Sequence, residues 1–138
     1  MSNVNVKSIL YVEDDGPSRE IMQLLVEGVM GVPHLQIFED SFSFLDRAKS
    51  VTPKPDIILL DIHVPPLSGF EMLMILRTDS HFANIPVVAL TASVMNEEVE
   101  RLRQAGFNGV IPKPLNMDSF PSLLERIVQG EEIWNILE

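Results

Sequence analysis

The chain has 138 residues, 46% of them apolar and 22% charged, which is the size and make-up of one water-soluble domain and excludes a disordered, fibrous or multidomain protein. Ten basic residues against twenty acidic ones leave a net charge of −10, which repels phosphate backbones and argues against direct nucleic-acid binding. Cysteine is absent, so disulfides, thiolate metal sites and cysteine nucleophiles are excluded, and a reducing compartment fits.

From Met1 to Lys7 the chain is polar, without an apolar run of signal-peptide length, and nowhere do about eighteen uncharged apolar residues follow one another. A cytoplasmic protein without membrane contact is expected. Residues 9–12 form a solid apolar run, read as a strand covered on both faces, and it ends in Glu13-Asp14-Asp15. After Pro17, Ile21, Leu24, Leu25 and Val29 are spaced for one face of a helix. Residues 35–38 mix polar and apolar side chains, which suits an edge strand. Ser41 is expected to cap a short helix carrying Phe44, Leu45 and Ala48. Pro53-Lys54-Pro55 makes a stiff entry into the solid run 57–60, which ends in Asp61. Phe70, Leu73, Met74 and Arg77 have helical spacing; the run 87–90 then ends in Thr91-Ala92. Met95, Val99 and Leu102 form a fourth helical stripe, stopped at Ala105-Gly106. A fifth short strand at 110–111 leads into Pro112-Lys113-Pro114, and Met117, Phe120, Leu124 and Ile127 mark the last helix.

The order is (βα)×5. Right-handed crossovers then bury a parallel sheet between two helical layers, and the expected fold is a doubly wound, flavodoxin-like α/β sandwich with a five-stranded sheet of order 2-1-3-4-5. The expected division is a polar tail at 1–6, one domain at 7–129 and a C-terminal segment at 130–138. In that segment Trp134 stands among Ile133, Ile136 and Leu137 beyond Gly130. Either the last helix runs on and packs back, the favoured expectation, or a docking tail is presented.

Ligands of open α/β sheets bind beyond the carboxyl ends of the strands. There this chain places an acidic pair, a lone aspartate, a threonine hydroxyl and a lysine, after strands one, three, four and five. Carboxylates held close repel unless a cation is shared among them, and Mg²⁺ takes one or two carboxylates while keeping water or phosphate oxygens. With Asp14 and Asp61 holding the ion, a phosphoryl group would meet Thr91 and Lys113, and Asp61 is the obvious nucleophile, forming an acyl phosphate. Each residue also has a plainer reading. Asp15 before Pro17 suits an N-cap, Asp61 a turn, Thr91 a helix cap and Lys113 a solvated loop. It is the coincidence of all four at one rim that points to chemistry.

The residues 9–15, 59–69, 85–92 and 111–114, in this order and spacing, resemble the receiver domain of bacterial two-component response regulators over roughly residues 7–129. The resemblance implies Asp61 as phosphoacceptor, Asp14 as direct Mg²⁺ ligand, Glu13 as water-mediated acidic partner and the His63 backbone carbonyl as a further ligand. It makes Thr91 the switch hydroxyl and Lys113 the phosphate-contacting cation, and implies a cis Lys113-Pro114 bond. Implied partners are a sensor histidine kinase or histidine phosphotransfer protein and a downstream effector protein, with no direct nucleic acid and no membrane. A weak homodimer is left open. Turnover of a small molecule is not expected.

Two departures stand out. Receivers commonly carry Tyr or Phe three residues before the lysine, where this chain has Val110, which is stiff at χ1 and too short to swing into a pocket behind Thr91. Signalling is therefore expected to rest on residues 92–105. The His63 side chain is expected at the site entrance, where it either steers a hydrolytic water or contacts a partner. The competing functions are a Mg²⁺-dependent phosphohydrolase with Asp61 as nucleophile, which would want an acid where His63 stands, and a receiver acting as a scaffold without phosphorylation. Nucleotide-binding glycine loops are absent.

Overall fold

The computed structural model describes residues 6–134, and among them five parallel strands alternate with five α-helices. These are β1 Ser8–Val12, α1 Gly16–Gln23, β2 His34–Phe38, α2 Phe44–Lys49, β3 Ile57–Asp61, α3 Gly69–Thr78, β4 Val87–Thr91, α4 Asn96–Ala105, β5 Gly109–Pro112 and α5 Phe120–Val128. The sheet order is β2-β1-β3-β4-β5, the doubly wound arrangement expected. β1, β3 and β4 are buried at every position, whereas β2 alternates and lies at the edge.

Because successive strand residues point to opposite faces, the solid runs feed two cores. Leu10, Val12, Ile58, Leu60, Val87, Ala89 and Val110 pack with Phe44, Met72, Leu76 and Leu102 from α2, α3 and α4. Ile9, Tyr11, Ile57, Leu59, Val88, Leu90 and Ile111 pack with Met22, Phe120, Leu124 and Ile127 from α1 and α5. Val110 is fully buried in the first of these layers.

Several helical faces differ from the spacing read in the sequence. Ile21, Leu24 and Val29 are exposed, and the buried set is Met22, Leu25 and Val26. This segment carries apolar residues on two faces, so periodicity alone does not choose between them. The π-helical continuation Leu24–Val29, closed by the Met30 N–H donating to the Leu25 carbonyl at 2.9 Å, leaves Leu24 and Val29 outside. Met74 faces solvent while Met72, Leu73 and Leu76 pack inward; Met95 stands at the N-cap of α4 and Met117 before α5, both exposed. Ser41 is not a helix cap. Ser43 occupies that position, and the Ser41 hydroxyl is buried between two loops, donating to the Leu67 carbonyl at 2.9 Å and accepting the Leu67 N–H at 2.6 Å. The loop from β3 to α3 is thereby pinned at its far end.

The last helix does not run on as expected. It stops at Val128, the chain turns at Gly130 with φ 109°, and Ile133 forms a parallel bridge to Gly109 of β5. The Val110 N–H donates to the Ile133 carbonyl at 3.0 Å. This approach needs a glycine: a Cβ at Gly109 would sit 3.0 Å from the Ile133 carbonyl oxygen. Trp134 packs on the layer of α2 to α4, with the Arg103 guanidinium 5.3 Å from its ring centre. Ile136 and Leu137 lie outside the described residues.

Candidate functional site

The strand register assembles the site. Val12 pairs with Leu60, so Glu13 emerges beside Asp61; Asp61 pairs with Leu90, ahead of Thr91; Thr91 pairs with Pro112, ahead of Lys113. The Lys113 N–H donates to the Thr91 carbonyl at 3.0 Å, which locks the end of β5 to the end of β4. Lys113-Pro114 is cis, as are Thr52-Pro53 and Pro65-Pro66. Four pieces of sequence as far apart as residues 13 and 113 thus meet at one rim.

Asp15 caps α1, accepting the Ser18 N–H at 3.0 Å and the Ser18 hydroxyl at 2.6 Å, with Pro17 in the first turn. Those bonds hold its carboxyl below the usual aspartate range. The plain reading of Asp15 is therefore the right one, and its two neighbours are left for other work. On the far side, Ser68 and Glu71 close a reciprocal capping box on α3. A Cβ at Gly69 would lie 2.7 Å from Ile62 Cδ1 and 3.0 Å from Ile62 Cα. Only glycine lets α3 start against the backbone that joins Asp61 to His63.

Glu13 is fully buried and Asp61 is 6% exposed, while Asp14 faces solvent. One carboxylate oxygen from each lies within 4.8 Å of the other two. Lys113 Nζ stands 2.9 Å from Glu13 Oε1 and 3.6 Å from Asp61 Oδ2. Burial, and then the nearness of Asp61, push the Glu13 carboxyl above its ordinary range, against the opposing pull of Lys113 and Tyr11. Burial alone would lower the Lys113 ammonium, but the hydrogen bond to Glu13 and the charges of Asp61, Glu13 and Asp15 together raise it. One ammonium does not neutralise three carboxylates. The donor set is all oxygen, crowded and short of positive charge, and it fits a hard divalent cation.

The His63 N–H donates to Asp61 Oδ1 at 3.3 Å, while the His63 residue itself is exposed. Thr91 is 6% exposed, and its Oγ1 accepts the Ser93 N–H at 3.0 Å. The Ser93 hydroxyl in turn donates to Glu98 in the first turn of α4. A crevice lined by His63, Phe70, Thr91, Ser93, Glu98 and Arg101 opens behind this hydroxyl. The geometry brings together Glu13, Asp14, Asp61 and Lys113, and sets Thr91 next to them in the register. What sequence reading missed was the supporting set: Tyr11, Ser41 and the Ser93–Glu98 link. Ser41 and Ser93 look like ordinary loop serines, but a tyrosine inside an aliphatic strand was a usable signal.

Comparison with known proteins gives a consistent picture. The response regulator receiver domain family matches residues 9–125. The polar-differentiation response regulator DivK of Brucella anthropi is 34% identical over 114 residues, covering 83% of this chain and 89% of DivK. Among solved structures, the chemotaxis response regulator CheY4 of Vibrio cholerae superposes with a TM-score of 0.78 at 22% identity, over 89% of this chain and 99% of that one. The signal receiver domain of a DNA-binding response regulator (merR) from Colwellia psychrerythraea gives 0.78 at 26% identity, over 89% and 98%. With its acid cluster, buried aspartate and lysine at the carboxyl rim of such a sheet, the chain belongs to the response regulator receiver domain family, and its role is that of a phosphoacceptor in two-component signal transduction.

Proposed function

We propose that Asp61 is the residue that takes the phosphoryl group, from a histidine kinase or histidine phosphotransfer protein. The supporting observation is the Lys113 ammonium set between Glu13 and Asp61, beside a third carboxylate within 4.8 Å. A carboxylate oxygen of Asp61 attacks the phosphorus of a phosphohistidine. The P–O bond forms as the P–N bond breaks, and the departing imidazole keeps the electron pair and takes up a proton from solvent. Lys113 and the Thr91 hydroxyl then face the phosphoryl oxygens. Mg²⁺ would be held by Asp14 and Asp61, by Glu13 through water and by the His63 carbonyl, and when bound it supplies charge neutralisation to the acids and the phosphoryl group. His63 stands at the entrance, where its imidazole acts on the lifetime of the phosphoryl group. One phosphorylation per chain is expected, without turnover of a small phosphoester. Intact-mass measurement after incubation with Mg²⁺ and acetyl phosphate tests the reading; a chain that stays unmodified overturns it.

The same reading takes 7–129 as the receiver domain, between the polar tail 1–6 and the segment 130–138. It keeps the protein in the cytoplasm, supported by the lack of cysteine; among the described residues no helix is long and apolar enough to cross a membrane.

The crowding of the acids has a pH consequence. A carboxyl raised above its ordinary value of 4.5 carries its charge at a cost in the folded protein at neutral pH, and a bound cation relieves that cost. Mg²⁺ is therefore expected to raise the melting temperature at pH 7. At about a hundredfold excess over its dissociation constant the gain is about 2.7 kcal/mol. The gain should shrink as the pH falls through the range in which Glu13 protonates, since a neutral carboxyl no longer attracts the ion. Thermal melts with and without Mg²⁺ between pH 7 and 5 check this; a gain that does not depend on pH would contradict it.

The output lies in the segment that Thr91 controls. Turning its hydroxyl toward a phosphoryl oxygen breaks the bond from the Ser93 N–H, and Ser93 is tied to Glu98 of α4, so loop and helix shift together. With Val110 buried and no aromatic swing available, an effector protein would read this loop and the face of α4, β5 and α5. Amide chemical shifts across residues 92–116 are expected to move on adding Mg²⁺ and beryllofluoride. A flat response there would remove this route.

A further inference from the structure

Tyr11 lies in β1 two residues before Glu13, so both side chains leave the same face of the sheet. Its neighbours in that layer, Ile9, Leu59 and Leu90, are aliphatic, and an aliphatic residue would fill the space equally well. The phenol is only 2% exposed, and its hydroxyl donates to Glu13 Oε1 at 2.8 Å. The same oxygen accepts Lys113 Nζ at 2.9 Å, while Glu13 Oε2 receives only the longer bond from the Asp15 N–H at 3.3 Å. Two donors therefore share one oxygen of a carboxylate that has no contact with solvent.

Lys113 is engaged by Glu13 before any phosphoryl group arrives, with Asp61 farther off at 3.6 Å. To meet a phosphoryl oxygen on Asp61 the ammonium has to turn away from Glu13. A buried carboxylate that lost its one strong donor would oppose that movement. Tyr11 removes the opposition, because its hydroxyl stays on Oε1 after the lysine leaves. A crevice lined by Tyr11, Leu90, Lys113 and Pro114 gives the lysine stem room to move.

We propose that Tyr11 is a positioning residue for phosphoryl acceptance: its hydroxyl holds Glu13 in place and hydrogen-bonded while Lys113 is handed over to the phosphoryl group. The inference rests on Asp61 as acceptor and Lys113 as its cation. Tyr11→Phe keeps the ring and deletes the donor. In titrations with Mg²⁺ alone, and with beryllofluoride at saturating Mg²⁺, the variant is expected to bind Mg²⁺ within about twofold of wild type and beryllofluoride about tenfold more weakly, the worth of one hydrogen bond to a buried charged group. Its melting temperature should fall by only a few degrees, because Lys113 still bonds Glu13 Oε1 in the unphosphorylated protein. Equal binding of beryllofluoride by both proteins overturns the inference and leaves Asp61 as acceptor untouched. Parallel losses of Mg²⁺ affinity, beryllofluoride affinity and melting temperature also overturn it, since the hydroxyl is then a packing support. Wild type that fails to bind beryllofluoride at saturating Mg²⁺ overturns the assignment of Asp61, and this inference with it.

Discussion

Asp61→Asn is expected to abolish phosphoryl uptake while making the metal-free protein slightly more stable. The amide has nearly the shape of the carboxylate, but its oxygen carries no net charge and attacks phosphorus poorly, so after Mg²⁺ and acetyl phosphate the variant should keep its unmodified mass while wild type gains one phosphoryl group. Stability moves the other way for an electrostatic reason. The Glu13 carboxyl is held above its ordinary range first by burial and then by Asp61. The charged form of Glu13 is therefore held at a cost in the native state, and part of that cost is Asp61. Lys113 keeps its shorter contact, 2.9 Å to Glu13, after the 3.6 Å contact to Asp61 is weakened. The net gain without Mg²⁺ at pH 7 is about 1 kcal/mol, or about 3 °C in melting temperature. The two readouts together separate a lost acceptor from a damaged fold. A variant that still takes up phosphate moves the acceptor elsewhere, and a lower melting temperature in metal-free buffer contradicts the crowding of the acids.

Strands that run through the middle of a parallel sheet are solid apolar runs, and these made β1, β3 and β4 plain in the sequence, as the residue after each run marked the rim. Glu13, Asp14, Asp61 and Thr91 were legible for that reason, and Lys113 because it follows the short apolar pair 110–111. Helical faces were less so. The segment from Ile21 to Val29 offers apolar residues on two sides, and which side packs depends on where the chain enters and on the π-helical turn after Gln23, neither of which periodicity records. Met74, Met95 and Met117 fit the helical spacing and yet face solvent. The C-terminal segment was ambiguous because Gly130 permits either a stop or a kink, and its partner, the bare backbone of Gly109, has no side chain to announce it. Ser41 was misread because a serine before a helix usually caps it, whereas this one bridges to a loop 26 residues away. Contacts between loops distant in sequence leave no local pattern. Tyr11 is the exception, since a buried phenol requires a partner and the strand period points to Glu13.

Lys113→Met is expected to lower both stability and phosphoryl uptake, in a way that acid partly reverses. Methionine fills the space of the lysine stem but leaves Glu13, with no exposed surface, facing Asp61 across an uncompensated gap. In wild type the Lys113 ammonium is raised, so its contribution is fully present below the ordinary lysine value of 10.5 and is lost only as the pH climbs through the higher folded value. All of it is therefore at stake at pH 7. Breaking a buried pair costs about 3–5 kcal/mol; because the lysine side chain is 21% exposed and Tyr11 and the Asp15 N–H still serve Glu13, about 2–3 kcal/mol is expected here. Without its cation the Glu13 carboxyl rises further. Acidification then protonates it in the folded protein before the unfolded one, so the deficit should narrow between pH 7 and pH 5. Mg²⁺ should narrow it as well, by supplying positive charge to the acids. Uptake from acetyl phosphate does not recover with either treatment, because the phosphoryl oxygens have lost a donor, and a fall of about 10²-fold in rate is expected. Urea unfolding at the two pH values in metal-free buffer, with phosphorylation followed by intact mass, checks both parts. A deficit that is the same at pH 7 and pH 5 would mean that Lys113 stabilises the fold by packing alone, and a rate within threefold of wild type would remove it from the phosphoryl site.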